Sequence, residues 1–248
     1  MPTESKTCNV LFIGNSYTFY NDMPTAYFQV MAKACGYDVQ VTAITKGAYT
    51  LEKFADPNDG FGARVARTLT PGAFDYVILQ EQSVRHAADT VPAFYDAVRK
   101  LAGMIRQSGA QPILYSTWGR ETGSDTLEKY SMTNESMTWK LAAAYDAIGK
   151  ELDIPVMHAG LAFYDVYTNS DINLYNADHS HPSAEGSYLA AMTLFCGIFG
   201  VDPTEAAFSG PVDAEEDAIL RAAAKKVLQN TPQIPQEYQT ASENITNG

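Results

Sequence analysis

Short apolar runs that alternate with amphipathic stretches constrain the fold of this chain more than any other feature of its sequence. Runs with the length and composition of buried strands lie at 7–14, 38–45, 74–80, 111–118 and 154–160. Apolar residues recur at helical spacing over 23–35, 88–107, 133–152, 183–199 and 213–228. Apolar strands separated by helices are typical of a parallel sheet with helices on both faces. The sequence therefore predicts a single three-layer α/β/α domain with a central, mainly parallel sheet of about five strands.

The predicted domain takes up nearly all of the 248 residues. We place it at residues 1–230, because no internal repeat and no linker rich in Pro, Gly or Ser interrupts that range. Residues 231–248 are polar and contain two prolines. This composition predicts a C-terminal tail that is frayed or lies loosely on the surface.

The charge balance is acidic, with 17 Lys and Arg against 29 Asp and Glu and a net charge of −12. Proteins that bind nucleic acid or an anionic membrane need a basic surface, so we expect neither partner. The least polar stretch, 190–201, is shorter than the roughly 18 apolar residues that a membrane-spanning helix requires. The polar start, MPTESKT, does not have the pattern of a secretory signal. We therefore expect a cytoplasmic protein, with secretion as the alternative if a signal was removed.

The cysteines and the glycine pattern indicate neither a metal nor a nucleotide cofactor. Cys8, Cys35 and Cys196 are too scattered for a disulfide framework or a zinc cluster, and we expect them to be buried thiols. The first strand is followed by Gly14-Asn15-Ser16-Tyr17, which contains neither a G-x-G-x-x-G motif nor a Walker lysine. The sequence therefore predicts a protein without a cofactor.

Ser16 lies where the chain turns from the first predicted strand towards a helix. Backbone N–H groups at the start of a helix attract negative charge, so they could hold an oxyanion that develops beside the Ser16 hydroxyl. The alternative is that Ser16 only caps the helix, as serine does well. Taken alone, this motif favours the cap.

Asp178 and His181 are three residues apart in the segment Asn-Ala-Asp-His-Ser-His-Pro-Ser. That spacing lets a carboxylate hold an imidazole and fix its tautomer. A nucleophilic serine needs a base, and the base needs an orienting acid, so Ser16, His181 and Asp178 could form a triad. One alternative is a surface turn with a solvated histidine. A minor one is a metal site that includes His179, which no second cluster of ligands in the sequence supports.

These two motifs together resemble those of the SGNH/GDSL hydrolase superfamily. Its first block, Gly-Asp-Ser or Gly-Asn-Ser directly after strand one, is matched by Gly14-Asn15-Ser16, and its last block, D-x-x-H-P, by Asp178 to Pro182. The resemblance spans residues 10–191. It implies a serine esterase on a flavodoxin-like sheet, with Ser16 as nucleophile, His181 as base and Asp178 as the orienting acid.

The middle blocks of the superfamily are matched less well. Gly47, after the second strand, is the natural match for the glycine whose N–H joins that of Ser16 in the oxyanion hole, although a plain turn would also favour glycine. The third block is normally G-x-N-D, but here the strand exit reads Leu-Gln-Glu-Gln-Ser. This resembles the Gln-containing block of sialate O-acetylesterase-like relatives. Gln82 falls at the position of the Asn, Gln80 is the rival donor, and both could instead satisfy backbone groups.

Candidate substrate contacts lie after the predicted strands, where ligands bind in such folds. The indole of Trp118 suits a sugar ring and the guanidinium of Arg120 suits a carboxylate, although a wedge residue and a solvated charge would explain them equally. Asn15 and Tyr17 flank the serine, and His86 follows the third block, where it could contact a leaving group or lie on the surface.

The sequence predicts a serine esterase that removes a small acyl group from a carbohydrate or another small polar ester. A thioesterase or an acyltransferase would use the same triad. A non-catalytic protein that binds a small molecule or a carbohydrate on the same fold is an alternative of a different class. No oligomeric state is indicated.

Overall fold

The computed structural model describes residues 7–86 and 91–239. Five strands form its central sheet: β1 (Cys8–Gly14), β2 (Val39–Thr45), β3 (Tyr76–Leu79), β4 (Gln111–Ser116) and β5 (Val156–His158). All neighbouring strands pair in parallel, in the order β2-β1-β3-β4-β5. The predicted three-layer α/β/α fold with a five-stranded parallel sheet is confirmed.

Helices join the strands and cover both faces of the sheet. They are α1 (Ser16–Phe19), α2 (Val30–Ala34), α3 (Leu51–Ala55), α4 (Gly60–Thr68), α5 (Val91–Gln107), α6 (Asp125–Lys129), α7 (Asn134–Leu152), α8 (Ala159–Asn169), α9 (Ala184–Phe199) and α10 (Ala214–Gln229). A π-helical segment, Met23–Gln29, leads into α2, and 3₁₀ turns lie at Tyr20–Asp22, Ser83–His86 and Pro203–Glu205.

The alternation of side chains along each strand divides the core into two halves. In β1, Val10 and Phe12 pack in one half, while Leu11 and Ile13 pack in the other, and all four are fully buried. The first half lies under the π-helical segment, α2, α8, α9 and α10; the second lies under α3, α4 and α5, and α7 contributes to both. This double coverage explains why the strands are continuously apolar.

The fifth strand differs from its predicted extent. It covers only Val156–His158, and α8 begins at the next residue. The apolar run of the strand continues without a break into the helix, so no change of pattern marks the boundary. A Cβ at Gly160 would lie 2.0 Å from the carbonyl oxygen of Thr117, which shows how closely α8 approaches the end of β4. The short helices α3, α4 and α6 were not predicted, because so few residues carry little periodicity.

Three further expectations can be compared with the described residues. Of the tail, residues 231–239 are described, and Ile234 is buried against the core. The three thiols are free, but only Cys196 is fully buried, and burial raises its pKa to about 12. Within the described ranges, no helix has both the length and the apolar character needed to cross a membrane.

The topology fixes where a ligand site can form. β1 pairs with β2 on one side and with β3 on the other, so the chain reverses its direction of travel across the sheet at β1. In parallel α/β sheets, the crevice for ligands lies beyond the carboxyl ends of the strands at such a switch point. Ser16 follows β1 and Gln80 follows β3, so both come to this crevice.

Candidate active site

The turn after β1 places Ser16 at the first position of α1. Asn15 is the N-cap, because its side-chain oxygen accepts the backbone N–H of Tyr17 at 3.1 Å. The alternative of Ser16 as the cap is therefore wrong, and its hydroxyl is available for another partner. The turn is tight, since a Cβ at Gly14 would lie 2.7 Å from the Gln80 side-chain oxygen.

A continuous hydrogen-bonded chain joins Ser16, His181 and Asp178. The Ser16 Oγ lies 2.8 Å from His181 Nε2, although the two residues are 165 positions apart. The other ring nitrogen, Nδ1, is hydrogen bonded to Asp178 Oδ2. With the imidazole neutral, Nδ1 carries the proton that is donated to the carboxylate, and Nε2 is left to accept from the serine. This is the geometry of a nucleophile, its general base and an orienting acid.

The Asp178 carboxylate is held in its ionised form by several donors. Its partial burial would raise the pKa, but hydrogen bonds from the His181 ring and from the backbone N–H groups of His181 and Ser180 outweigh that effect. The pKa of Asp178 is therefore lowered from its ordinary value of 3.8. A negative charge at this place stabilises an imidazolium next to it.

Three turns that follow β1, β2 and β3 are tied to one another around Ser16. The backbone N–H of Lys46 donates to the Gly14 carbonyl at 3.2 Å, and the Asn15 side chain donates to the Tyr49 carbonyl at 3.0 Å. The backbone N–H of Asn15 donates to the Gln80 side-chain oxygen at 2.9 Å. Asn15 was predicted as a substrate contact, but it is only 3% exposed. Its hydrogen bonds hold the three turns together instead.

The two glutamines after β3 have different surroundings. Gln80 is 1% exposed, its oxygen also accepts the Thr18 hydroxyl, and its amide nitrogen donates to the carbonyl of Glu81. Gln82 is half-buried, and its oxygen accepts the backbone N–H of Val84 at 2.9 Å. Among the described residues, no acceptor engages the amide nitrogen of Gln82. Gln80 is thus occupied in supporting the Asn15 turn, whereas Gln82 retains a free donor.

Gly47 lies in the exposed turn after β2. In the described part of the chain, neither its backbone N–H nor that of Ser16 has a hydrogen-bond acceptor. A Cβ at Gly47 would meet nothing within 4 Å, so the space beside this backbone is open. Unused donors beside open space are what an oxyanion site requires.

Trp118 is not a wall of the crevice. Its indole is fully buried between the rings of Tyr17 and Phe163, which stack on it with centroids 4.9 and 3.9 Å away. Its N–H donates to the Ser180 carbonyl at 3.1 Å. The prediction that Trp118 offers a face to a sugar ring is wrong, because both faces are covered by aromatic neighbours.

Tyr17 and Arg120 meet at one hydroxyl below the histidine. The Ser180 Oγ lies 2.8 Å from the Tyr17 hydroxyl and also accepts a hydrogen bond from Arg120. Tyr17, predicted as a substrate contact, is buried. Among the described residues, Arg120 has no carboxylate partner, and its buried Nε has no hydrogen-bond partner. Arg120 thus remains a candidate substrate contact. The side chain of His86 is outside the part of the chain that the structure describes.

The neighbouring histidine has a separate partner. His179 Nδ1 lies 2.7 Å from Glu121 Oε2, so His179 and His181 are each engaged with a different carboxylate. Within the described ranges, no group of three or more His, Cys, Asp or Glu is arranged to hold a metal ion.

Two residues of this region were missed in the sequence. Tyr20 stacks on the His181 ring, and Asn21 hydrogen bonds to the segment that follows it. Tyr20 is four residues after Ser16, so helical spacing would have placed it on the same side as the serine. No sequence signal could have found Asn21, because its partners lie some 160 residues away.

No protein-family model matches the sequence, and no curated protein matches it either. Solved structures do match. A candidate SGNH hydrolase from Slackia heliotrinireducens is 29% identical with a TM-score of 0.66, and the match covers 77% of this chain and 98% of that one. A DUF4886 family protein from Bacteroides uniformis has a TM-score of 0.78 at 19% identity, covering 93% and 98%. An acetyl xylan esterase from Geobacillus stearothermophilus has a TM-score of 0.53 at 14% identity, covering 78% and 93%.

The two matches below 25% identity establish the fold. The Slackia protein adds similarity in sequence over nearly its whole length. In fold and in sequence, the chain is therefore similar to the SGNH/GDSL hydrolases.

Proposed function

We propose that the protein is a serine esterase whose nucleophile, base and orienting acid are Ser16, His181 and Asp178. The observation that carries the proposal is the 2.8 Å contact between Ser16 Oγ and His181 Nε2, with Asp178 on the opposite ring nitrogen. This order of groups matches their chemical roles in acyl transfer. Similarity to an SGNH hydrolase and to esterases of known structure supports the same reaction class.

In the first half of the reaction, Ser16 Oγ attacks the ester carbonyl carbon while its proton passes to His181 Nε2. The tetrahedral intermediate then collapses, the bond to the leaving oxygen breaks, and His181 gives its proton to the departing alcohol. In the second half, a water molecule gives a proton to His181 and attacks the acyl-serine. Collapse of the second intermediate returns the proton to Ser16 and releases the acid. Asp178 stabilises the imidazolium in both halves.

The oxyanion of each intermediate would lie between the backbone N–H groups of Ser16 and Gly47. We assign the third donor to the Gln82 amide, because the Gln80 amide is already bonded to Glu81 and, through its oxygen, to Asn15. Preorganised donors of this kind stabilise the negative charge that develops in the transition state.

We further propose that the substrate is a small polar ester, with an acetylated carbohydrate as the first class to test. Two observations support this choice. One of the matching structures is an acetyl xylan esterase. The guanidinium of Arg120, which donates to Ser180 and has no carboxylate partner among the described residues, suits a polar or anionic group better than an alkyl chain. A thioesterase or an acyltransferase would use the same triad and differ in substrate.

The test is hydrolysis of p-nitrophenyl acetate by the wild type and by Ser16→Ala. We expect turnover by the wild type and loss of at least about 10⁴-fold in the variant. Equal activity of the two proteins would contradict the proposal. A folded wild type without activity towards any ester would favour a non-catalytic binding protein on this fold. A panel of acetylated sugars, longer-chain esters and acyl thioesters then assigns the substrate class.

A further inference from the structure

The imidazole of His181 is enclosed by two aromatic rings. Tyr20 stacks on its face, with ring centroids 4.4 Å apart and an angle of 14° between the planes. Tyr17 meets it edge-on, at 5.6 Å and 70°. The ring therefore cannot rotate about its side-chain bonds without displacing one of the tyrosines.

Tyr20 is held in this position by an unusual turn. The next two residues, Asn21 and Asp22, both have left-handed backbone conformations, with φ of 53° and 52°. Residues other than glycine rarely adopt this conformation, and they keep it only where surrounding contacts impose it. The turn ends α1 and redirects the chain into the π-helical segment, so that the Tyr20 ring lies over the histidine.

The contacts that impose the turn come from the histidine segment itself. The Asn21 side-chain nitrogen lies within hydrogen-bond distance of the carbonyls of Pro182 and Ser183, at 3.1 and 2.9 Å, and of the Ser187 hydroxyl at 2.9 Å. Asn21 thus ties the segment that carries the serine to the segment that carries the histidine, directly after His181.

We propose that Tyr20 is a positioning residue for His181, and that the Asn21 side chain fixes it there. The inference rests on the proposed function. The stack keeps Nε2 directed at the Ser16 hydroxyl. It also presents the electron-rich face of Tyr20 to the imidazolium that forms when His181 takes the serine proton, and such faces attract cations. Both effects act on the transition state more than on the bound substrate, so they change kcat and leave KM almost unchanged.

The first test compares Tyr20→Leu with Tyr20→Phe in the hydrolysis of p-nitrophenyl acetate. We expect kcat of Tyr20→Leu to fall by about 10-fold with KM changed by less than about 2-fold, in line with the strength of a partly exposed aromatic contact with a cation. Tyr20→Phe keeps the ring, and the lost hydroxyl has no hydrogen-bond partner among the described residues. We expect its kcat within about 2-fold of the wild type.

A matched control removes another partly exposed tyrosine. Tyr37 is 36% exposed and packs against Phe195 and Phe199, away from the histidine. Tyr37→Leu should leave both kcat and KM unchanged. A phosphonate inhibitor, allowed to react to completion, measures the fraction of molecules with an active site. Dividing each rate by this fraction gives kcat per active molecule, so unfolded protein does not lower the result.

A second variant, Asn21→Gly, tests the turn. Glycine accepts the left-handed conformation at this position, so the substitution removes the amide contacts without adding backbone strain. We expect a fall in kcat in the same direction as for Tyr20→Leu, again with little change in KM. Unchanged kcat in Asn21→Gly would remove Asn21 from the inference.

The inference fails if Tyr20→Leu retains the wild-type kcat, or if Tyr20→Phe loses as much as Tyr20→Leu. Either result leaves the proposed function intact, provided that the wild type turns over and Ser16→Ala does not. A wild type that neither turns over nor reacts with the phosphonate would refute the proposed function, and this inference with it.

Discussion

The protein contains two histidine–aspartate pairs with nearly the same chemistry and different surroundings. His181 is bonded to Asp178 through Nδ1, and His158 is bonded to Asp146 through Nε2 at 2.7 Å. The second nitrogen of His181 faces the Ser16 hydroxyl, whereas the second nitrogen of His158, Nδ1, is buried without a hydrogen-bond partner among the described residues. Of the two pairs, only His181–Asp178 thus has the second ring nitrogen on a hydroxyl that could serve as a nucleophile.

The topology explains why only one of the two pairs contacts the Ser16 hydroxyl. His158 ends β5, an edge strand separated from β1 by β3 and β4. His181 lies in the loop before α9, which returns to the end of β1 where Ser16 begins α1. The His158 side chain is 5% exposed against 26% for His181, so only His181 is open to substrate. We interpret the His158–Asp146 pair as structural.

Replacing each histidine by alanine should give the largest difference in kcat between the two pairs. We expect His181→Ala to lower kcat by about 10⁶-fold, because the base is lost, with little change in Tm. We expect His158→Ala to keep kcat per folded molecule and to lose about 2 kcal/mol of stability, roughly 4–8 °C in Tm, because a buried hydrogen-bonded ring is removed. Kinetics with p-nitrophenyl acetate and thermal unfolding measure both. A His158→Ala protein that folds and is inactive would contradict the contrast.

Replacing each aspartate by asparagine should give the next largest difference in kcat. Asp178→Asn keeps the shape of the side chain but favours the wrong tautomer of His181, so we expect kcat to fall by about 10⁴-fold. Asp146→Asn should leave kcat unchanged. Full activity in Asp178→Asn would show that the acid has been assigned wrongly.

Gln82 and Gln80 form a second contrast, because only Gln80 has its amide nitrogen bonded to an acceptor among the described residues. Gln82→Ala should lower kcat by about 10²–10³-fold, the usual loss for one oxyanion donor. Gln80→Ala should have the smaller effect on kcat, and it should lower Tm because the Asn15 turn loses its support. If Gln80→Ala has the lower kcat, the alignment of the third block is wrong by two residues.

The smallest expected effect is a pH dependence of stability at Asp178. Its pKa lies below the ordinary value of 3.8, so the unfolded chain binds this proton more readily than the folded protein does. The ionised carboxylate therefore stabilises the fold above about pH 4, and this contribution is lost as the pH falls through the lowered pKa. Thermal unfolding of the wild type and Asp178→Asn at about pH 6 and about pH 3 should give a difference in Tm that shrinks in acid. A difference that grows in acid would contradict the stated direction of the shift.

Much of the sheet and the approach of Ser16 to His181 could be predicted from sequence for physical reasons. Buried strands require continuous apolar runs, and the two short motifs lie at positions that the parallel topology brings to one crevice. A sequence shows only local patterns directly. Where a strand runs directly into a helix, as at His158, no local pattern marks the change.

The rest of the site depends on contacts between distant segments. Trp118 was a candidate contact for a sugar ring because it follows a strand, but Tyr17 and Phe163 cover both faces of its indole. The different tasks of Gln80 and Gln82 depend on which backbone groups come near them in the fold. Sequence spacing could not distinguish two glutamines that are two residues apart.

The proposed reaction depends most on Ser16 being a nucleophile that His181 activates. The direct measurement is mass spectrometry of the folded protein after reaction with an organophosphonate, followed by peptide mapping. We predict one covalent adduct, located on Ser16, and no adduct on the His181→Ala variant under the same conditions. Folded wild-type protein that stays unmodified, or that carries the adduct on a residue other than Ser16, would contradict the central claim.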